Sequence, residues 1–442
     1  MSIALDAWNA GLEELAGRVA GRFPRHETRS TFHDILAGLL SELPNKNCWT
    51  LAEWAGHKNP HVMQHFLSRA SWDDTAMTDD LRNYVIDHLG EVDALLVLDE
   101  TGDLKKGVET VGVQRQYTGT AGRIENSQVA VYLGYGTTHG YTLIDRELYL
   151  PKSWATNPER REKAGVPAGI EFATKAQLAC ALVDRFFDAG GTAAGLTGDE
   201  VYGDAPELRA NCERRGLPYV LAIGCHRRLT TLAGRRRRAD ELVADLPKRR
   251  WHRLSAGDGA KGPRLYDWAW LRVDTDDPTM FDPVGGYRWL LARRNRTTGE
   301  LAYYRCWSPT RKRLRALLRT AARRWSIETN FQHGKTLVGL DEHQVRTWRS
   351  WRRWTLLSML ALALLTTLTC HATDPTPPEP SSHTSSAGLI ALTRNEIRHL
   401  IEILILRPVH TLRHTITWSI WRRHHQHQAK NSHYQRRSTD TT

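Results

Sequence analysis

The sequence predicts a mixed α/β protein with helices toward both ends and a sheet of buried strands between them. Leucine-rich segments at helical spacing, with few β-branched runs, fill residues 1–90. Short, nearly continuous apolar runs begin at residue 93, and two of them end in an aspartate. Such runs are typical of strands covered on both faces. Because 442 residues exceed one small domain, we expect several domains.

The first part of the core, residues 91–224, is predicted to contain five strands and two helices. The strands are Asp93–Asp99, Ser127–Tyr135, Tyr141–Leu150, a run ending at Asp199, and Tyr219–Ile223, with helices at Lys175–Asp188 and near Ala205–Arg215. Three strands, a helix, a strand, a helix and a strand is the order of an RNase H-like fold. It places one aspartate on strand one and another at the end of strand four.

The rest of the chain is divided by composition. Residues 225–310 are predicted as a β-rich insertion, because short alternating segments there are separated by Gly, Pro and Asp. Helices resume over 311–372, the second part of the core. Residues 373–390 form a linker rich in Pro, Ser and Thr, and 391–442 a basic helical C-terminal tail.

The N-terminal helical domain, residues 1–90, is a candidate DNA-binding domain. Within it, Trp49–Leu67 has the pattern of a helix, a glycine-containing turn and a second helix. If this is a helix-turn-helix, His61, Gln64 and Arg69 face DNA. The alternative is an ordinary pair of packed helices, and the sequence does not decide between the two.

The composition favours a polyanionic partner. The formal net charge is +12, and the pI is about 9.5. None of the six cysteines forms a Cys-x-x-Cys pair, which argues against zinc ribbons and redox motifs, and scattered thiols fit a reducing cytoplasm. We expect no signal peptide at the N-terminus. We also expect no membrane span, because the longest apolar run, residues 355–370, is shorter than the ~20 residues that a span needs.

Three acidic residues in different contexts suggest a metal site. Asp99 and Asp199 end apolar runs, and Glu328 lies in a basic helical stretch. Two carboxylates at strand ends and one on a later helix can converge and hold two divalent ions, which suits phosphodiester displacement. Arg324 and Lys335 share a helix face with Glu328 and would bind the DNA backbone. The alternative for Glu328 is a salt bridge with Arg324 on a solvated helix.

Several motifs add a family resemblance. Arg324-x3-Glu328-x6-Lys335 matches the Arg, Glu and Lys of a Tyr-x2-Arg-x3-Glu-x6-Lys signature, and Ala321 stands where that signature has Tyr. The chain resembles bacterial insertion-sequence transposases of the DDE type, in their superfamily-endonuclease branch. Further similar segments are Asp99–Gly107, Gln116–Gly119, Arg146–Pro151, Gly198–Gly203 and Gly339–Arg346. The departure at Ala321 puts any role of the signature tyrosine in doubt.

The resemblance implies a DNA transposase. Such a protein binds terminal inverted repeats and target DNA as a homodimer in the synaptic complex, and it cleaves and transfers strands with two Mg²⁺ ions, for which Mn²⁺ can substitute. Asp99, Asp199 and Glu328 would be the metal ligands. A cytoplasmic, nucleoid-associated bacterial protein is expected. The alternatives are an RNase H-like nuclease without strand transfer and a non-catalytic DNA-binding regulator derived from a transposase.

Other candidate DNA contacts lie around these motifs. With Arg324 and Lys335 they are Lys105, Lys106, Tyr202, His343 and Arg346. The alternatives are a solvated turn for the two lysines, packing for the tyrosine and helix capping for the last pair. Strand alternation predicts that Glu100 and Glu200 point away from the metal ligands. The tryptophans of Trp348–Trp354 are expected in the core, although they could stack on bases.

Overall fold

The chain forms two compact units in a computed structural model. The structure describes residues 2–259, 262–274, 285–373, 391–406 and 411–439. Residues 1–80 and 333–442 form the first unit, and residues 81–332 form the second. The predicted linker, residues 373–390, lies outside the described residues apart from its first residue.

The first unit is helical throughout its described part. Its helices are α1 (Ser2–Ala20), α2 (His26–Leu40), α3 (Cys48–Trp54), α4 (His61–Ser68), the first part of α5 (Asp74–Leu89), the end of α13 (Trp325–Val338), α14 (Trp348–Thr373), α15 (Arg394–Ile401), a π-helical turn (Glu402–Leu406) and α16 (Leu412–Thr439).

Helix α14 is the centre of this unit. It packs against α1, α2, α4 and α15. Trp348, Trp351 and Trp354 are buried, which confirms the core interpretation of this run. Among the described residues it is the one helix with the length and apolar content of a membrane span, and 83% of that stretch is buried inside the protein. The predicted buried helix is therefore present, and it belongs with the N-terminal helices rather than with the sheet.

The predicted helix-turn-helix segment forms two helices, α3 and α4. Gly56, with a φ of 81°, turns the chain between them, a conformation that glycine adopts without strain. The C-terminal helix α16 packs on this pair: the Trp421 ring lies 4.5 Å from Trp49 and 6.4 Å from His61, and Trp418 Nε1 donates to the carbonyl of His57 at 2.6 Å. The predicted basic tail is thus partly a packing element. DNA contact by α4 remains a prediction.

The second unit is built on a large mixed sheet. Its strands are β1 (Leu95–Leu104), β2 (Gln114–Thr118), β3 (Arg123–Gly136), β4 (Tyr141–Leu148), β5 (Gly195–Gly198), β6 (Tyr219–Ile223), β7 (Arg228–Thr230), β8 (Arg236–Arg238), β9 (His252–Gly259), β10 (Gly262–Val273), β11 (Tyr287–Asn295) and β12 (Leu301–Ser308). Its helices are the larger part of α5, α6 (Lys152–Ala155), α7 (Pro158–Lys163), α8 (Lys175–Asp188), α9 (Glu200–Gly203), α10 (Pro206–Arg214), α11 (Ala239–Ala244), a 3-10 turn (Lys248–Arg250), α12 (Leu314–Arg323) and the first part of α13.

Three parallel strands lie in the middle of the sheet. Its order is β2-β3-β1-β5-β6-β12-β11-β10-β9, with β4 also paired to β3. Strand β1 runs parallel to β5, and β5 runs parallel to β6. All four residues of β5 are buried, as its apolar sequence predicts. Since the three strands point the same way, residues that follow them meet at one end of the sheet.

The length of the first strand differs from the prediction. Strand β1 does not end at Asp99 but continues to Leu104, because β3 is long enough to pair with its whole length. The described part of the segment 225–310 contains six strands: β12 pairs with β6, so four of them extend the large sheet, and β7 and β8 pair with each other.

Candidate active site

Two aspartates lie where β1 and β5 separate. The parallel pairing of these strands ends at Leu98 and Gly198, and Asp99 and Asp199 are the next residues on each strand. Asp199 caps α9, because its Oδ1 accepts the backbone N–H of Val201 at 2.9 Å. The side chains of neighbouring parallel strands meet beyond the last paired residues, so the two carboxylates lie at the same edge.

A third carboxylate joins them. Oxygens of Asp99, Glu100 and Asp199 all lie within 4.8 Å of one another. The prediction that alternation turns Glu100 away is therefore wrong. On the side of β5 the pairing of β1 ends at Leu98, although β3 continues to pair with β1, and beyond that point the glutamate side chain reaches the same edge. Glu200 is not part of this group within the described part of the chain.

Glu100 is held by two neighbours. Lys175, the first residue of α8, reaches one of its oxygens with Nζ at 2.6 Å, and the Tyr202 hydroxyl donates to the other at 2.9 Å. Tyr202 is fully buried, and burial raises the pKa of its hydroxyl. A buried hydroxyl that already donates to a carboxylate is not accessible to DNA, so the packing alternative holds for Tyr202 and the predicted phosphate contact does not.

Arg324 connects the aspartates to Glu328. Its guanidinium lies 3.2 Å from Glu328 Oε1, and its other terminal nitrogen lies 4.0 Å from Asp99 Oδ2. The salt-bridge alternative for Glu328 is thus present in the structure, and the same cation also faces the aspartate. Glu328 keeps 41% of its side chain exposed and is not in the tight group of oxygens.

The surroundings of Asp99 and Asp199 disfavour the ionised form of both carboxyl groups. Burial raises the pKa of Asp99 to about 7, with a further contribution from Asp199 and an opposing one from Arg324. Burial likewise raises the pKa of Asp199 to about 6, assisted by Glu100. Crowded carboxylates resist ionisation together, and a cation placed among them removes this cost.

The donor set fits a hard divalent cation. The converging side-chain atoms are all carboxylate oxygens, without a histidine or cysteine among them. Mg²⁺ and Mn²⁺ prefer such oxygen ligands, and Mg²⁺ is commonly bound by one or two protein carboxylates together with substrate phosphates. The three carboxylates can therefore hold a divalent ion at this edge, and Glu328 is a further candidate because Arg324 contacts both it and Asp99.

The remaining predicted DNA contacts are distributed over both units. In the second unit, Lys105 follows β1 and is half-buried, whereas Lys106 is exposed. In the first unit, Lys335 lies 3.7 Å from Asp341, and Arg346 is exposed. His343 is 3% exposed with its ring 6.4 Å from that of Trp354, so it packs in the interior instead of meeting DNA.

The sequence of this chain is similar to a known protein family and to a probable transposase. The profile of a family described as DDE superfamily endonuclease matches residues 18–249. The probable transposase of insertion sequence element IS701 from Microchaete diplosiphon is 29% identical over 203 residues, which are 46% of this chain and 50% of that protein. The chain thus aligns with about half the length of this relative.

Two solved structures are similar at lower levels. A synaptic complex of the piggyBac transposase with hairpin DNA has a TM-score of 0.45 at 10% identity and covers 85% of this chain and 70% of that one. The NurA nuclease from Sulfolobus solfataricus has a TM-score of 0.26 at 8% identity, and the match covers 62% of this chain and 85% of that one. Both TM-scores lie below 0.5, so these likenesses are loose over the whole chain.

Proposed function

This chain belongs to the DDE superfamily endonucleases, and we propose that it is a DNA transposase. It would bind the terminal inverted repeats of an insertion sequence, cleave them and join the ends to target DNA, with a homodimer holding both ends. The aligned half of the probable transposase supports this proposal. So does the spatial order β4-β3-β1-β5-β6, which is that of an RNase H-like core, with Asp99 on its first strand and Asp199 after its fourth.

The observation that carries the proposal is the convergence of carboxylates at one end of the sheet. Asp99, Glu100 and Asp199 approach within 4.8 Å, and Arg324 extends the cluster to Glu328. Such a cluster in a chain of net charge +12 combines a cation site with affinity for a polyanion. A structural role alone would not need three carboxylates crowded so closely, since each raises the cost of ionising the others.

The residues of the chain have separable roles in cleavage. When bound, two Mg²⁺ ions would activate the attacking oxygen and stabilise the leaving oxygen. Asp99, Asp199 and Glu328 would hold them, and Glu100 would supply a further oxygen. Arg324, which neutralises two carboxylates here, is placed to exchange them for a DNA phosphate, to which a guanidinium binds bidentately.

The first test is substitution of the ligands. Asp99→Ala, Asp199→Ala and Glu328→Ala should each lower Mg²⁺-dependent cleavage of a labelled repeat end by about a thousand-fold, the upper range for loss of one stabilising group. Binding of that end should change by less than about twofold, since phosphate contacts dominate affinity. Glu171→Ala, which removes an exposed carboxylate of the same unit, is the control. A variant of the trio that cuts at the wild-type rate would refute the assignment.

A second test separates transposition from its alternatives. Pre-cut ends with a free 3′-hydroxyl, mixed with target plasmid, should be joined by the wild-type protein. Cleavage without joining would indicate a nuclease, and binding without either reaction would indicate a regulator.

A further inference from the structure

A cavity of about 750 Å³ lies in the second unit, at the opposite end of the parallel strands from Asp99 and Asp199. Its walls include Leu95 at the start of β1, Ala194 just before β5, and Tyr219 at the start of β6. These are the amino ends of the three parallel strands, whereas Asp99 and Asp199 follow the carboxyl ends of β1 and β5. Asp99 lies four residue steps along the strand from Leu95, or about 13 Å at about 3.3 Å per residue. The cavity is therefore a separate place on the same sheet.

The rim of the cavity is cationic. Arg264, Lys312, Arg319 and Arg323 line it, against one carboxylate, that of Asp93. Over the part of the chain that the structure describes, none of the four cations is within ion-pair distance of a carboxylate. Burial lowers the pKa of Arg323, against an opposing effect of Asp93 and Glu91. Arg264, Lys312 and Arg323 are half-buried and Arg319 is exposed, and partly desolvated cations that form no ion pair favour an anionic ligand.

The same cavity has aromatic and apolar walls. Trp325, at the start of α13, keeps 43% of its surface exposed and lies under the Arg264 guanidinium, which is 6.0 Å from its ring. Leu317, Leu318 and Trp307 form further apolar wall. A site for phosphate alone would not need such walls, because inorganic phosphate buries no apolar surface.

We propose that this cavity binds an unpaired nucleotide, with the base packed on Trp325 and the phosphate held by Arg264, Lys312 and Arg319. An aromatic platform beside cations is the usual chemistry of single-strand binding. A volume of 750 Å³ lies within the range of ligand pockets, and it has room for one nucleotide with its flanking phosphates. The nucleotide can belong to a DNA strand or be free in solution. The site adds a second nucleic-acid contact to the proposed function but does not depend on the carboxylates.

The experiment is site-specific photo-crosslinking with the full-length protein in EDTA. The probe is a ten-nucleotide single strand that contains one 4-thiothymidine, and crosslinked peptides are mapped by mass spectrometry. We expect a crosslink within residues 312–325. Lys312→Glu with Arg319→Glu should reduce it at least tenfold, and Trp325→Ala should reduce it about tenfold while Trp325→Phe preserves most of it.

The matched control is Lys248→Glu with Arg249→Glu. This pair makes the same charge change at exposed positions of the same unit, outside the cavity. Equal losses in both pairs, or crosslinks only outside residues 312–325, would overturn the proposal. Melting curves confirm that each variant is folded.

Competition identifies the source of the nucleotide. If thymidine monophosphate displaces the probe from this crosslink, the cavity accepts a free nucleotide. If only unlabelled oligonucleotide displaces it, the ligand is a DNA strand. Displacement by inorganic phosphate alone, at equal concentration, would show an anion site without base recognition and would refute the role of Trp325. Asp99→Asn should leave the crosslink unchanged, so its loss and the loss of cleavage are distinguishable.

Discussion

The two ends of the three parallel strands carry side chains of opposite charge. At the carboxyl ends, Asp99, Glu100 and Asp199 crowd negative charge that burial makes costly. At the amino ends, four cations surround a cavity with a single carboxylate. Bound cations would stabilise the carboxyl ends of the strands, and a bound anion would stabilise the amino ends. The net charge of +12 is therefore not evenly spread, and a nucleic acid with its metal ions can satisfy both ends.

The largest effect within this comparison is expected from the third carboxylate. Glu100→Gln keeps the hydrogen-bonding shape but removes the charge, and we expect a 10- to 100-fold loss of Mn²⁺ affinity, roughly the usual cost of altering groups that orient a metal site. Isothermal titration of the purified protein measures it. Lys175→Met should weaken affinity less, because Tyr202 still holds Glu100. An unchanged Mn²⁺ affinity of the Glu100→Gln variant would show that Glu100 lies beside the metal site without contributing to it.

The next effect is a pH-dependent stability of the metal-free protein. Burial raises the pKa of Asp99 from its ordinary value near 4 to about 7, so ionisation destabilises the folded state as pH rises from about 4 to 7. Asp99→Asn should therefore raise the free energy of unfolding at pH 8 by roughly 2 kcal/mol and change it little at pH 4. Urea denaturation in EDTA at both pH values measures this. A variant less stable than wild type at pH 8 would contradict the electrostatic account.

A smaller effect is expected at Arg324. Its guanidinium reaches Asp99 and Glu328 with different nitrogens, which a single ammonium group cannot imitate. Arg324→Lys should slow strand transfer about tenfold, while the free energy of unfolding changes by less than about 1 kcal/mol, as for an exposed ion pair. Transfer at the wild-type rate would support the salt-bridge role alone.

The smallest effect separates the cationic end from the general charge. Lys312→Ala with Arg319→Ala should make the affinity for single strands less dependent on salt. The slope of the logarithm of the binding constant against the logarithm of the salt concentration should become shallower by about 0.7 for each phosphate that the variant no longer neutralises. Binding of double-stranded repeat ends should keep its slope, because an unpaired base is needed to enter the cavity. Fluorescence anisotropy between 50 and 200 mM salt (about the range over which such slopes are read) compares the two. An equal decrease of the salt slope for single-stranded and double-stranded DNA would show that the cavity does not select unpaired bases.

Local patterns predicted the elements that carry Asp99 and Asp199. Helix α8 has the predicted bounds Lys175–Asp188, because a capping threonine and Gly190, with a φ of 83°, mark its ends. Buried apolar runs identified β1 and β5 and hence the edge where the two aspartates meet. In these cases the signal lies within a few residues of the element.

Long-range features were not predictable in this way. Alternation along β1 seemed to exclude Glu100, but the sequence does not show that the β1–β5 pairing ends one residue before Asp99, where Glu100 also reaches the aspartates. The burial of Tyr202 and His343 depends on elements distant in the chain. The cavity combines residues from Asp93 to Thr329, and no local pattern marks it.

The first unit is assembled from the two ends of the chain, and this has a consequence for its synthesis. Helices α1, α2 and α4 leave the ribosome early, but α14, on which they pack, follows more than 250 residues later. At roughly 5–20 residues per second, they wait at least about ten seconds for that partner. Residues 81–332 are complete by then, with Asp99, Glu100, Asp199 and Glu328. A nascent chain thus acquires the carboxylate cluster before the helical unit can close, so premature termination before α14 would release residues 81–332 without a complete helical unit.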